Sequence, residues 1–123
     1  MPKKILLIDD EQDALVLTKI RLESAGFEVE CACDGMDGID KAKNIYPDII
    51  LLDLFLPLMS GYEVCKKLKE IDELKNIPVI FFSAGHAKKD YLKEKEETGA
   101  VDFVGKPFDP QELIDKINFY TKG

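Results

Sequence analysis

Short apolar runs alternate with longer amphipathic stretches along the whole chain. Three of the runs are almost continuously apolar, which is typical of parallel strands that are covered on both faces. Another alternates apolar and polar residues, which suits an edge strand. The pattern predicts five strands, at Ile5–Ile8, Phe27–Cys31, Ile49–Leu52, Pro78–Phe82 and Val101–Val104.

The stretches between the strands carry apolar residues at helical spacing. The last of them begins with Asp109 and Pro110, an N-cap acid followed by a proline at the first helical position. The predicted helices cover about 10–25, 36–46, 64–71, 87–98 and 110–120. The helix over 87–98 is highly charged and has few apolar residues to bury, so we expect it to be the least firmly anchored of the five.

Five strand–helix units in 123 residues predict an α/β fold. We expect a flavodoxin-like, doubly wound sheet of five parallel strands with helices on both faces. In the strand order 2-1-3-4-5 that flavodoxin-like proteins have, ligands bind where the carboxyl ends of strands one and three meet.

Polar residues follow several of the predicted strands at their carboxyl ends. Asp9 and Asp10 follow the first strand, Asp53 the third, Ser83 the fourth and Lys106 the fifth. In the order 2-1-3-4-5 these side chains would surround one shallow cleft. Two carboxylates about 5 Å apart repel by roughly 3 kcal/mol at an effective dielectric constant near 20, and a hard divalent cation such as Mg²⁺ relieves that repulsion.

A lysine and a hydroxyl beside such a cation suit phosphoryl oxygens, so the cluster predicts a phosphoryl-transfer site with Asp53 as the nucleophile. Each residue also has an ordinary interpretation. The acids after the first strand would cap a helix, Asp53 would end a strand, Ser83 would lie in a turn, and Lys106 would be a surface lysine. Their joint occurrence at the strand ends favours the site.

Length and charge narrow the classes of function. The chain is long enough for one hydrophobic core and too short for two, so we expect a single domain over residues 1–123 without an effector domain. A net charge of −7 argues against direct nucleic-acid binding. No apolar run is long enough to insert into a membrane, and the three cysteines lack metal-site spacing. We expect a cytoplasmic protein with reduced cysteines, and His86 as a surface residue.

Four motifs together resemble the response-regulator receiver domain of two-component signalling, in its chemotaxis-type single-domain form. The motifs are Ile5-Leu-Leu-Ile-Asp-Asp-Glu11, Asp48-Ile-Ile-Leu-Leu-Asp-Leu-Phe-Leu-Pro-Leu-Met-Ser-Gly61, Val79-Ile-Phe-Phe-Ser-Ala84 and Gly99-Ala-Val-Asp-Phe-Val-Gly-Lys-Pro-Phe108. The resemblance covers essentially the whole chain. The strand order 2-1-3-4-5 is also that of this family, so it is not an independent result of the apolar pattern.

The resemblance implies a phosphoacceptor and a metal site. Asp53 would receive a phosphoryl group from a phosphohistidine on a sensor histidine kinase or a histidine phosphotransfer protein. Asp10 and Asp53 would bind Mg²⁺, or Mn²⁺ in its place, directly. Asp9 would act largely through water, and the backbone carbonyl of Phe55 would complete the protein ligands. Relatives often carry methionine where this chain has Phe55.

The resemblance also implies a switch. Ser83 and Lys106 would each contact a phosphoryl oxygen, and Phe103 would turn inward as Ser83 moves. The face made by the helix over 87–98, the fifth strand and the C-terminal helix would then change and signal to a downstream protein target. The bond before Pro107 would be cis. Such a chain assists its own phosphorylation and dephosphorylation but is not a conventional turnover enzyme.

Several other classes of function fit the sequence less well. A phosphatase with an aspartyl nucleophile needs Asp-x-Asp, whereas here Asp53 is followed by leucine and Phe55. The segment from Gly99 to Lys106 lacks the spacing of a nucleotide-binding P-loop, and acids replace the phosphate loop that FMN requires. A receiver-like module that acts without phosphorylation stays open as an alternative.

Overall fold

The structure, a computed structural model, describes residues 2–84 and 97–122, with only the backbone for residues 83 and 84. Five parallel strands form one sheet in the order β2-β1-β3-β4-β5, which confirms the predicted fold class and strand order. The strands are β1 (Lys4–Ile8), β2 (Glu28–Ala32), β3 (Ile49–Asp53), β4 (Val79–Ala84) and β5 (Asp102–Lys106). The described helices are α1 (Gln12–Ser24), α2 (Gly35–Ile45), α3 (Gly61–Glu70) and α4 (Pro110–Tyr120).

Apolar side chains bury both faces of the sheet, because successive residues of a strand point to opposite sides. β1 and β3 lie inside the sheet, and their continuous apolar runs fill two cores at once. One core contains Leu6, Ile8, Leu52, Phe81, Val64 and Leu68, and the other contains Ile5, Leu7, Leu51, Leu15, Leu22 and Leu113. The interpretation of these runs as strands covered on both sides is confirmed.

Several boundaries differ from the sequence prediction. β5 continues to Lys106, because the backbone of Gly105 and Lys106 pairs with the end of β4. The apolar pattern missed this extension, since backbone pairing does not require apolar side chains. α1 begins at Gln12 rather than at residue 10, and this leaves Asp10 in the loop after β1.

The blurred periodicity of α1 has a simple explanation in the structure. Leu15 and Leu22 are buried against the sheet, while Val16, Leu17 and Ile20 are exposed. Apolar residues therefore lie on both sides of the helix, and no single apolar stripe can be recognised in its sequence.

The opposite ends of the described chain meet at the amino edge of the sheet. The Lys3 ammonium donates to the Thr121 hydroxyl over 2.8 Å, which joins the start of β1 to the end of α4. The loops that carry the predicted site lie at the other edge. No helix within the described ranges is both long and apolar enough to cross a bilayer.

Candidate functional site

Three carboxylates converge at the carboxyl edge of the sheet. One oxygen each from Asp9, Asp10 and Asp53 lies within 4.8 Å of the others. β1 and β3 are direct neighbours with Ile8 opposite Leu52, so the residues that follow this pair, Asp9 and Asp53, lie side by side. Asp9 and Asp53 are buried, whereas Asp10 is exposed on the loop.

Lys106 reaches the same cluster from the end of β5. Its Nζ lies 3.0 Å from Oδ2 of Asp9 and 3.3 Å from Oδ2 of Asp53. To get there the side chain crosses β4, and its ammonium lies 4.6 Å from the ring centroid of Phe82. Ion pairing and a cation–π contact thus hold Lys106 over the two buried acids.

Backbone hydrogen bonds fix the other oxygen of each buried acid. Oδ1 of Asp9 accepts the N–H of Glu11 over 3.0 Å, and Oδ1 of Asp53 accepts the N–H of Phe55 over 3.0 Å. Both are local turns in which an aspartate accepts from the residue two positions later. Each carboxylate therefore has one oxygen tied to its own loop and the other turned towards Lys106.

The charges of the cluster perturb one another. Burial raises the pKa of Asp53, and the negative charge of Asp9 adds to this, although the Phe55 N–H and the Lys106 charge act in the opposite direction. Burial lowers the pKa of Lys106, but the hydrogen bond to Asp9 and the charges of Asp53 and Asp9 outweigh that effect, so the net pKa is raised. Lys106 is therefore cationic at neutral pH. One ammonium against three carboxylates leaves an excess of negative charge.

The donor set suits a hard divalent cation. Carboxylate oxygens are the ligands that Mg²⁺ prefers, and the uncompensated negative charge favours a cation at this place. The structure thus brings together Asp9, Asp10, Asp53 and Lys106, which the sequence selected. The metal-ligand role of the Phe55 carbonyl stays a prediction.

The predicted switch residues are only partly described. The backbone of Ser83 pairs with Gly105 in the ladder of β4 and β5, but its side chain lies outside the described residues, as do His86 and most of the predicted helix over 87–98. Phe103 is buried in β5, opposite Phe81. The bond before Pro107 is cis, as the resemblance implies.

Sequence reasoning missed two features around the cluster. A Cβ at Gly61 would lie 2.3 Å from the carbonyl oxygen of Asp53, so only glycine lets α3 start this close to the end of β3. An apolar groove of about 310 Å³ lies beside Lys106, between α1 and the loop before α4, and Leu17 and Phe108 line it. Both features depend on the packing of distant segments, and no local pattern signals them.

Comparisons with known proteins show which family the chain resembles. The family model of the response regulator receiver domain matches residues 5–118. The DNA-binding dual master transcriptional regulator RpaA of Synechocystis is 38% identical over 117 residues, which are 95% of this chain and 48% of that protein. The alkaline phosphatase synthesis regulatory protein PhoP of Bacillus subtilis matches at the same identity and coverage. The chain therefore spans about half the length of these curated relatives.

Solved structures show the same fold. A putative response regulator from Chloroflexus aurantiacus superposes with a TM-score of 0.93 at 28% identity, over 100% of both chains. The receiver domain of a sensor histidine kinase from Pseudomonas aeruginosa has a TM-score of 0.90 at 24% identity, also over 100% of both chains, and holds a magnesium ion in its active-site cleft. From the match over residues 5–118 and these relatives, the chain belongs to the response regulator receiver domain family of two-component signalling.

Proposed function

We propose that this chain is a phosphoacceptor switch that takes a phosphoryl group from a phosphohistidine onto Asp53 in a Mg²⁺-dependent step. The observation that carries the proposal is the placement of Asp53. Its buried carboxylate lies 3.3 Å from the Lys106 ammonium and within 4.8 Å of oxygens of Asp9 and Asp10. A nucleophile, a fixed cation and a set of hard metal ligands thus meet at one edge of the sheet.

The transfer itself uses few protein groups. A carboxylate oxygen of Asp53 forms a bond to phosphorus as the phosphorus–nitrogen bond to the donor imidazole breaks, and that electron pair stays on the imidazole. Lys106 stabilises the negative charge of the phosphoryl oxygens, since its ammonium already lies beside Oδ2 of Asp53. The Phe55 N–H holds the other oxygen and so orients the carboxylate.

The metal would be held by Asp10 and Asp53 directly, by Asp9 largely through water, and by the Phe55 carbonyl. When bound, Mg²⁺ supplies positive charge that offsets the three carboxylates and the incoming phosphoryl group. The magnesium ion in the cleft of the Pseudomonas receiver domain supports this part of the proposal by analogy. Mn²⁺ has similar ligand preferences and would serve in the same place.

The signal would follow from the new charge on Asp53. A phosphoryl group adds strong acceptor oxygens where a single carboxylate lay. In the proposal Lys106 and Ser83 engage those oxygens, Phe103 adjusts in β5, and the face that includes β5 and α4 changes its contacts with a downstream protein. Each transfer consumes the free carboxylate, so the chain acts as a switch rather than as a turnover enzyme.

The phosphodonor would be a sensor histidine kinase or a histidine phosphotransfer protein. The apolar groove beside Lys106 supports a protein donor, because it offers a contact surface next to the reacting groups.

Labelling with a small phosphodonor tests the proposal directly. Incubation with acetyl phosphate and Mg²⁺ is expected to add one phosphoryl group, measured by intact mass. Asp53→Ala and an excess of EDTA should each abolish the label, whereas Asp48→Ala, an acid at the opposite end of β3, should retain it. A label that persists in Asp53→Ala would refute the assignment of Asp53.

A further inference from the structure

The loop between β3 and α3 holds a leucine in an unfavourable conformation. Leu58 has a φ of 68°, in the left-handed region that residues with a Cβ seldom adopt. The Met59 N–H donates to the Pro57 carbonyl over 2.7 Å, so Leu58 is the central residue of a three-residue turn. With positive φ this is the rare, strained form of the γ-turn.

Burial does not compensate for this strain. The relative exposure of Leu58 is 103%, so its side chain contributes no buried apolar surface to the fold. Asparagine or glycine would adopt the same backbone at lower cost. A bulky apolar side chain that is fully exposed on a strained backbone, at the same edge as the proposed site, indicates a contact with another molecule.

Leu58 is part of a small apolar groove. The groove has a volume of about 150 Å³ and lies between the β3–α3 loop and the start of α2, with Met36, Pro57, Leu58 and Met59 among its lining residues. The relative exposure of Met36 is 57%. The groove opens at the carboxyl edge of the sheet, the same edge as the acidic cluster.

The position of Asp53 indicates what covers this groove. Asp53 is only 6% exposed, at the end of β3, so a donor histidine can approach it only from the carboxyl edge. A protein that delivers this histidine must lay its surface on the loops around the cleft, and Leu58 follows Asp53 by five residues in one of them. The apolar groove thus lies at the same edge of the sheet as the contact that phosphotransfer requires, on the loop that follows Asp53.

We infer that Leu58 and Met36 form a docking contact for an apolar side chain that lies next to the phosphohistidine of the donor protein. The inference rests on the proposed function of Asp53. It places an apolar contact for the donor protein on the α2 side of the cleft, separate from the groove beside α1. Small phosphodonors do not need this contact. A comparison of small and protein donors therefore distinguishes an effect on docking from an effect on the transfer step.

Matched substitutions test the contact. Leu58→Asn removes the apolar side chain and suits the left-handed backbone, and Leu58→Met keeps an apolar side chain. Tyr46→Asn is the control, because Tyr46 also has a positive φ, of 47°, and 57% exposure, but it precedes β3 at the opposite edge. Both asparagine variants should fold, with a Tm raised by about 2–4 °C from the relief of strain.

Phosphotransfer is measured from two donors. One is acetyl phosphate, and the other is a histidine kinase, chosen from a panel of purified, autophosphorylated kinases because it transfers its phosphoryl group to wild type fastest. For Leu58→Asn we expect the second-order rate from the kinase to fall about fivefold or more, with the rate from acetyl phosphate within about twofold of wild type. Leu58→Met should restore the kinase rate, and Tyr46→Asn should leave both rates unchanged.

Other outcomes overturn the inference in distinct ways. An unchanged kinase rate for Leu58→Asn excludes donor docking, and if self-association or output binding changes instead, the groove belongs to that partner. A parallel loss with acetyl phosphate would show that the loop acts on the reacting groups. If wild type takes no label from acetyl phosphate, the proposed function of Asp53 itself fails, whatever the variants do.

Discussion

Asp10 is the exposed member of the acidic cluster, so its charge can be removed without leaving a buried partner alone. Lys106 is paired with Asp9 and Asp53, and no described hydrogen bond involves the Asp10 side chain. Asp10→Asn should therefore stabilise the metal-free protein, since it removes repulsion and leaves the ion pairs intact. The same change should weaken the response to Mg²⁺.

The geometry sets the size of the effect. At 4.8 Å, two unit charges repel by about 3.5 kcal/mol at an effective dielectric constant of 20 and by about 0.9 kcal/mol in water. Because Asp10 is exposed, screening by water favours the lower value for each of its two pairs. We expect a gain of about 1–2 kcal/mol in the free energy of unfolding, or about 4–8 °C in Tm.

Thermal unfolding, followed by circular dichroism, measures both effects. In EDTA the variant should melt above wild type, and saturating Mg²⁺ should raise the Tm of wild type much more than that of the variant, because ligands stabilise the state that binds them. Asp13→Asn is a matched control in the first turn of α1. It should be neutral or slightly destabilising, since an acid at that position interacts favourably with the helix dipole.

Two results would contradict this account. If Asp10→Asn lowers the Tm in EDTA, Asp10 stabilises the start of α1 more than it repels its neighbours. If Mg²⁺ raises the Tm of the variant as much as that of wild type, Asp10 is not a metal ligand.

Two further substitutions probe the fold, one beside the acidic cluster and one at the start of β5. Gly61→Ala should lower the free energy of unfolding by about 3 kcal/mol or more in urea titrations, because its Cβ would meet the Asp53 carbonyl at 2.3 Å; a loss below about 1 kcal/mol would show that this backbone can shift. Burial raises the pKa of Asp102, but hydrogen bonds from Lys116 and Tyr120 at 2.8 Å outweigh it and the net pKa is lowered. Asp102→Asn should thus cost about 2 kcal/mol at pH 7. The difference in the free energy of unfolding between wild type and the variant should shrink below about pH 4, because protonation of Asp102 removes the same stabilisation from wild type. A difference that does not depend on pH would mean that the variant loses packing rather than charge interactions.

The sequence predicted the sheet and the cluster well, for a physical reason. Strands that are buried on both faces must be apolar almost throughout, so β1 and β3 stand out from their surroundings. The polar residue that follows such a run marks the strand end, which identifies Asp9 and Asp53 from the sequence alone. The order of the strands came from resemblance to a family, because local patterns do not encode which strands are neighbours.

Features that depend on backbone pairing or on distant contacts were not predictable. The extension of β5 to Lys106 follows from its register with β4, and the contact between Lys106 and Phe82 follows from that extension. Similarly, the left-handed φ of Leu58 has no sequence signal, since leucine is unusual there. The roles of Ser83 and Phe103 in a switch concern a second state and stay predictions.

The bond between Lys3 and Thr121 has a practical consequence for experiments on this domain. Because it holds both ends of the fold at the edge opposite the acidic cluster, a tether or fluorescent fusion at either end would point away from the loops around Asp53. Immobilised through such a tag, the protein would present the whole carboxyl edge of its sheet to the solution. Surface-based measurements of binding at this edge are therefore feasible without steric interference from the support.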